Sequence, residues 1–73
     1  MITIRIVTNP DRCHVSVDGR PVATFLYSNY SDGNDEQNKA HALHDAKAQC
    51  FTTLFECNQQ KLNAKIDTTI VSK

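Results

Sequence analysis

One uninterrupted helical segment, Asn34 to Cys57, decides what this chain can build. No Gly or Pro falls inside it, and strand-like sequence flanks it on both sides. In 73 residues it is the only stretch long enough to organise a core. A domain this small buries only about 60% of the surface its unfolded chain exposes. Such chains lean on a disulfide, a metal, self-association or very good packing. The start of the segment is well marked. Asn34 offers an N-cap, Asp35 and Glu36 put acids in the first turn, and Gln37 can reach back to the cap. Asn58 is a plausible stop.

The flanking sequence reads as strand. Ile2, Ile4 and Ile6 alternate with Thr3, Arg5 and Val7, the period-2 pattern of a half-buried strand over Ile2–Thr8. Asn9-Pro10-Asp11 breaks it. Cys13, Val15 and Val17 then alternate with His14 and Ser16 in a second strand. Asp18-Gly19 supplies the two positive-φ positions of a type I′ hairpin turn. A third strand runs from Arg20 to Tyr27, with Pro21 near its start marking a sheet edge. Ser28–Gly33 is loop, and Leu62–Val71, best in Lys65–Val71, is a last strand.

The expected fold is therefore α+β, one domain over residues 1–73, in the order β-β-β-α-β. A three-strand antiparallel meander and a C-terminal strand form one sheet, and the helix covers one face. If the last strand lies beside the first, it runs parallel through a right-handed crossover, giving order 3-2-1-4. The rival places it beside strand three.

At 100° per residue, Leu43, Ala46, Cys50, Leu54 and Cys57 form a core stripe. Phe51 and Phe55 fall on a flank shared with Ala40, His44 and Ala48, which widens the apolar arc to about 180° against the ~100° a surface helix needs. Lys47 lies within the arc and can snorkel to water. The segment spans roughly 36 Å at the helical rise, and a seven-residue strand roughly 23 Å. Two explanations compete for the excess. The helix ends early, since Thr52 and Thr53 are poor helix formers, or the phenylalanine flank docks on another chain.

Several chemistries are suggested and then weakened by spacing. His41, His44, Cys50 and Cys57 are metal-ligand types, but His44 to Cys50 is about 9 Å and Cys50 to Cys57 about 10 Å along a helix axis. Zinc ligands converge to ~2.0–2.3 Å. Only His41 and His44 are near enough to cooperate, so no metal site and no cofactor is expected. Cys13 and His14, adjacent in a strand, point to opposite faces and form no nucleophile–base pair. Asp32, Asp35 and Glu36 are accounted for by capping and the helix dipole. Both glycines sit in turns, leaving no phosphate loop. No catalytic role is expected, and no motif is specific enough to name a family.

Eight basic and eight acidic residues give zero net charge, without the basic stripe of a nucleic-acid binder. Three cysteines do not make a disulfide framework. No leader-like or membrane-spanning run is visible, so a cytoplasmic protein is expected. The expected role is a non-enzymatic interaction module that binds another protein or a second copy of itself. Phe51, Phe55 and Tyr30 are its candidate anchors and Lys47 and Arg5 its rim. Tyr30 is included because core packing is a poor reason for an aromatic in a Ser/Asn/Asp/Gly loop, and Tyr is enriched in interface hot spots. The alternative is a weak single-stranded nucleic-acid binder using Arg5, His14 and Tyr27 on an open sheet face.

Overall fold

A computed structural model describes residues Met1–Lys73. The strands are β1 (Ile2–Thr8), β2 (Arg12–Val17), β3 (Arg20–Leu26), β4 (Ala64–Ile66) and β5 (Val71–Ser72), and α1 spans Asp35–Gln59 between β3 and β4. The sheet order is β3-β2-β1-β4, with β5 also on β1. β1 pairs antiparallel with β2 and parallel with β4 and β5. The α+β expectation with order 3-2-1-4 holds, and the rival order does not.

Local chemistry explains most boundaries. Asp18 and Gly19 take φ of 50° and 85°, the left-handed pair a type I′ turn requires. Asn34 Oδ1 accepts the Gln37 N–H at 2.9 Å and starts α1. The helix then runs unbroken for 25 residues, so of the two explanations for its length the early end at Thr52 and Thr53 does not occur. It stops at a Schellman motif, in which Leu62 N–H donates to the Cys57 carbonyl at 2.9 Å and Lys61 N–H to that of Asn58 at 3.0 Å. The motif demands a left-handed residue, and Lys61 fills it with φ 61°.

The expected last strand is interrupted. Ile66 is in register with Ile4 and Val71 with Val7, so the edge chain takes five steps where β1 takes three. Asp67 makes the detour. Its N–H donates to the Ile4 carbonyl at 2.8 Å, and its Oδ1 accepts the Thr69 N–H at 2.9 Å, closing an Asx turn. Residues 67–70 therefore leave the sheet instead of continuing it.

The core lies between α1 and one sheet face. Ile4, Ile6, Cys13 and Val15 are buried on the sheet side, with Ala42, Ala46 and Cys50 above them. The buried helix positions are Ala42, Ala46, Cys50, Thr53 and Cys57. The expected stripe through Leu43 and Leu54 is thus rotated by roughly 40°, and both leucines lie half-buried on a flank. The physical reason is volume. The sheet already supplies isoleucine, valine and Phe25, so only small side chains fit at the closest approach.

β3 resolves which of its sides is wet. Phe25 sits opposite Cys13 and packs on the core, and Tyr27 in the turn after it is 9% exposed. Leu26 shares the other face with Arg12, and Val22 falls at a register shift opposite Val15 and Ser16. Two expectations follow from this packing. Lys61→Gly should raise the urea midpoint by the equivalent of about 0.5–1 kcal/mol, because glycine relieves left-handed strain and gives back part of the gain as unfolded-state entropy. Ala46→Leu should lower stability by about 1–3 kcal/mol through overpacking, read by the same urea unfolding under circular dichroism.

Candidate interaction surface on the helix

The close packing of α1 decides where its large side chains go. Phe55 follows Ala46 by nine residues, roughly half a turn round the axis. With Ala46 buried against the sheet, Phe55 points outward. Phe51 is 66% exposed and Phe55 62%, four residues apart on one face. They do not flank the core stripe, as the sequence suggested, but stand largely on the outer side of the helix. Ala40, His44 and Ala48 share that side and are exposed.

Beside Phe51 the detour after β4 opens a cleft of about 170 Å³. Ile6, Cys50, Phe51, Ile66 and Ile70 form its apolar walls, with Lys47 and Asp67 also lining it. Ile70 is 41% exposed and continues the apolar surface outward. Lys47, expected within the helix arc, is exposed and makes no ion pair. Sequence reasoning missed Ile6, Cys50, Ile66 and Ile70 as parts of one site. The signal was Asp67-Thr68-Thr69, a turn-forming run inside a segment read as strand.

Arg5 is elsewhere. Ile4 and Ile6 face the helix, so Arg5 between them faces the other side of the sheet. Its Nη2 donates to Asp67 Oδ2 at 2.7 Å. The Thr69 N–H, more than this guanidinium, holds the Asp67 carboxyl below its usual range. Arg5 thus braces the wall of the cleft from behind and is not a rim residue of the phenylalanine face.

Tyr30 is also explained within the chain. It packs on the core, its ring lies 4.6 Å from that of His41, and its hydroxyl donates to Asp45 Oδ2 at 2.7 Å. Asp32 Oδ2 meets His41 Nδ1 at 2.7 Å, and the Asp32 N–H donates to Asn38 Oδ1 at 2.9 Å. These contacts strap the 27–33 loop to the first turns of α1, which extend past the buried positions. The idea that core packing leaves Tyr30 unexplained is therefore corrected.

Burial, followed by the Asp45 hydrogen bond, pushes the Tyr30 hydroxyl up to about 12, and the Tyr30 bond is the main reason the Asp45 carboxyl is lowered. Burial likewise pushes the Cys13 and Cys50 thiols up, disfavouring the nucleophilic thiolate. His44 is 82% exposed and comes no closer than 3.7 Å to Asp45. No three His, Cys, Asp or Glu side chains gather where one ion could be held.

The open sheet face carries Arg5 and His14 but no aromatic, since Phe25 and Tyr27 both belong to the core. Tyr27 is thereby corrected as a stacking residue. No helix is long and apolar enough to cross a membrane. Comparison with protein-family models, curated proteins and solved structures finds no match to this chain.

Burial of Tyr30 and its bond to Asp45 set two pH dependences. The raised tyrosine favours folding below its unfolded value near 10, and this contribution disappears as pH rises through about 12. The lowered Asp45 favours folding above the ordinary carboxylate range, and its contribution disappears as pH falls through that range. Tyr30→Phe should therefore flatten the stability profile at both ends relative to wild type. Parallel urea titrations across pH would show it; an acid-side slope unchanged by the substitution would mean the bond is absent in solution.

Proposed function

We propose that this chain is a small non-catalytic interaction module whose working surface is the outer face of α1. The observation that carries the reading is the pair Phe51 and Phe55, both mostly exposed, continuous with an apolar cleft. Contiguous exposed apolar surface of this kind marks interfaces. Two aromatic rings on a rigid helix are suited to it, because they present large area at small entropic cost. The remaining polar clusters have intramolecular roles, namely capping, strapping a loop and bracing the edge of the sheet.

The double variant Phe51→Ser/Phe55→Ser tests this. Both rings are outside the core, so the variant should stay folded, with stability changed by only about 0.5–1 kcal/mol. Quantitative capture on immobilised wild-type protein identifies the bound chains, whether copies or another protein. The double variant should retain less than about a tenth of that binding, the scale of a hot-spot loss. Binding should also survive a rise in salt from about 50 to 200 mM, over which phosphate contacts lose orders of magnitude in affinity. Capture that is undiminished in the double variant would refute this surface as the working one.

A further inference from the structure

We infer that the occupant of the cleft beside Phe51 is Phe55 of a second copy of this chain, in a two-fold pair that buries both phenylalanine faces. The inference rests on the proposal that this face is an interaction surface, and it names the partner.

Size gives the first argument. An apolar hole of about 150 Å³ takes up a benzene ring, and the cleft, at about 170 Å³, has walls of Ile6, Cys50, Phe51, Ile66 and Ile70. The chain also presents the matching knob. Phe55 is 62% exposed and is not among the residues lining its own cleft. A surface that carries both a knob and a hole for it is self-complementary, which is the condition for an isologous dimer.

Symmetry then fixes the geometry. The helical wall of the cleft is Lys47, Cys50 and Phe51. If Phe55 of each copy meets that wall on the other, the two α1 helices cross antiparallel, centred close to Thr52. Ile70, 41% exposed on the facing wall of the cleft, is then beside the incoming ring.

Charge permits this arrangement. The cleft has only two charged linings, Lys47 and Asp67, and Asp67 is already paired with Arg5. In the antiparallel crossing the two Lys47 residues lie about 15 Å apart along the axis, beyond the ~8–10 Å over which salt leaves charges in contact. Zero net charge adds no long-range repulsion between copies.

Area sets the strength. A phenylalanine presents about 150–250 Å², so four rings exposed to this degree offer on the order of 500 Å². Stable interfaces begin near 1,200 Å² in total. The rings supply about two-fifths of that minimum, and Ile70, Ala48 and the cleft walls must provide the rest. The pair therefore belongs to the weak, concentration-dependent class.

Sedimentation equilibrium on the full chain, up to about 1 mM where even weak pairs populate, reads this directly. The apparent mass should climb from 8.2 kDa toward twice that value. Phe55→Ala should weaken the dimer at least about tenfold. Ile70→Glu, which leaves Phe55 in place and puts a carboxylate in the exposed wall of its docking point, should do the same. Amide signals of Ile66 and Ile70 should move with concentration along with those of the outer helix face. A constant 8.2 kDa species, a Phe55→Ala variant that pairs as well as wild type, or shifts confined to β3 would each overturn the inference. A monomer whose capture of another protein is still lost in Phe51→Ser/Phe55→Ser would overturn the second-copy assignment alone. A monomer whose capture is unchanged in that variant would overturn the interaction surface as well.

Discussion

The rest of the structure depends on the close approach of α1 to β1 and β2. Ala42, Ala46 and Cys50 are the helix side of that contact, and Ile4, Ile6, Cys13 and Val15 the sheet side. Small against large lets two layers pack without voids and puts the helix axis near the sheet. Everything bulky on the helix must then lie to the side or outward. Leu43 and Leu54 take the flank and stay half-buried, while Phe51 and Phe55 are left mostly in water. The exposed phenylalanines are a geometric consequence of a core stripe made of alanine, cysteine and threonine, not a separate decoration of the surface.

Asp67 is the second organising residue, and it works in four ways. It donates to the β1 backbone, closes a turn onto Thr69, accepts from Arg5 and lines the cleft. One carboxylate thus interrupts the edge strand, anchors the interruption and shapes the recess next to Phe51. The arrangement also shortens a sheet edge. Two short segments with a detour between them are a poorer template for strand addition than one long flat strand. At the opposite edge, Pro21 and the register shift near Val22 have a similar effect.

Much of the fold was legible in the sequence because its signals were local. Alternating isoleucines, Asp18-Gly19 and the Asn34 cap each carry their mechanism within a few residues, and each element formed where expected. Returning the last strand to the sheet left two orders open, and the preferred one, with that strand beside β1, is the one that forms. The candidate site was harder to read. A helical wheel ranks residues by apolarity, so Leu43 and Leu54 were placed at the centre of the buried stripe. Packing ranks them by the space available, and the sheet's own bulk left room only for Ala42 and Thr53. Tyr30 was misjudged for a related reason. Its partner, Asp45, is fifteen residues away, and the register of a loop against a helix leaves no periodic trace. The cleft needed four separate elements to come together, which no single stretch of sequence announces.

β1 occupies the centre of the sheet, yet its neighbours come from the two ends of the chain. β2 follows it at once, whereas β4 and β5 arrive some sixty residues later. During synthesis the first three strands can pair into a meander, but β1 then has a bare hydrogen-bonding edge and an uncovered apolar face. Both persist until α1 and the residues beyond it have formed. The slow step in assembling this chain is therefore the closing of a long-range parallel pairing. Until it closes, the row of isoleucines that later becomes the interior is the part of the molecule most open to pairing with a neighbouring chain.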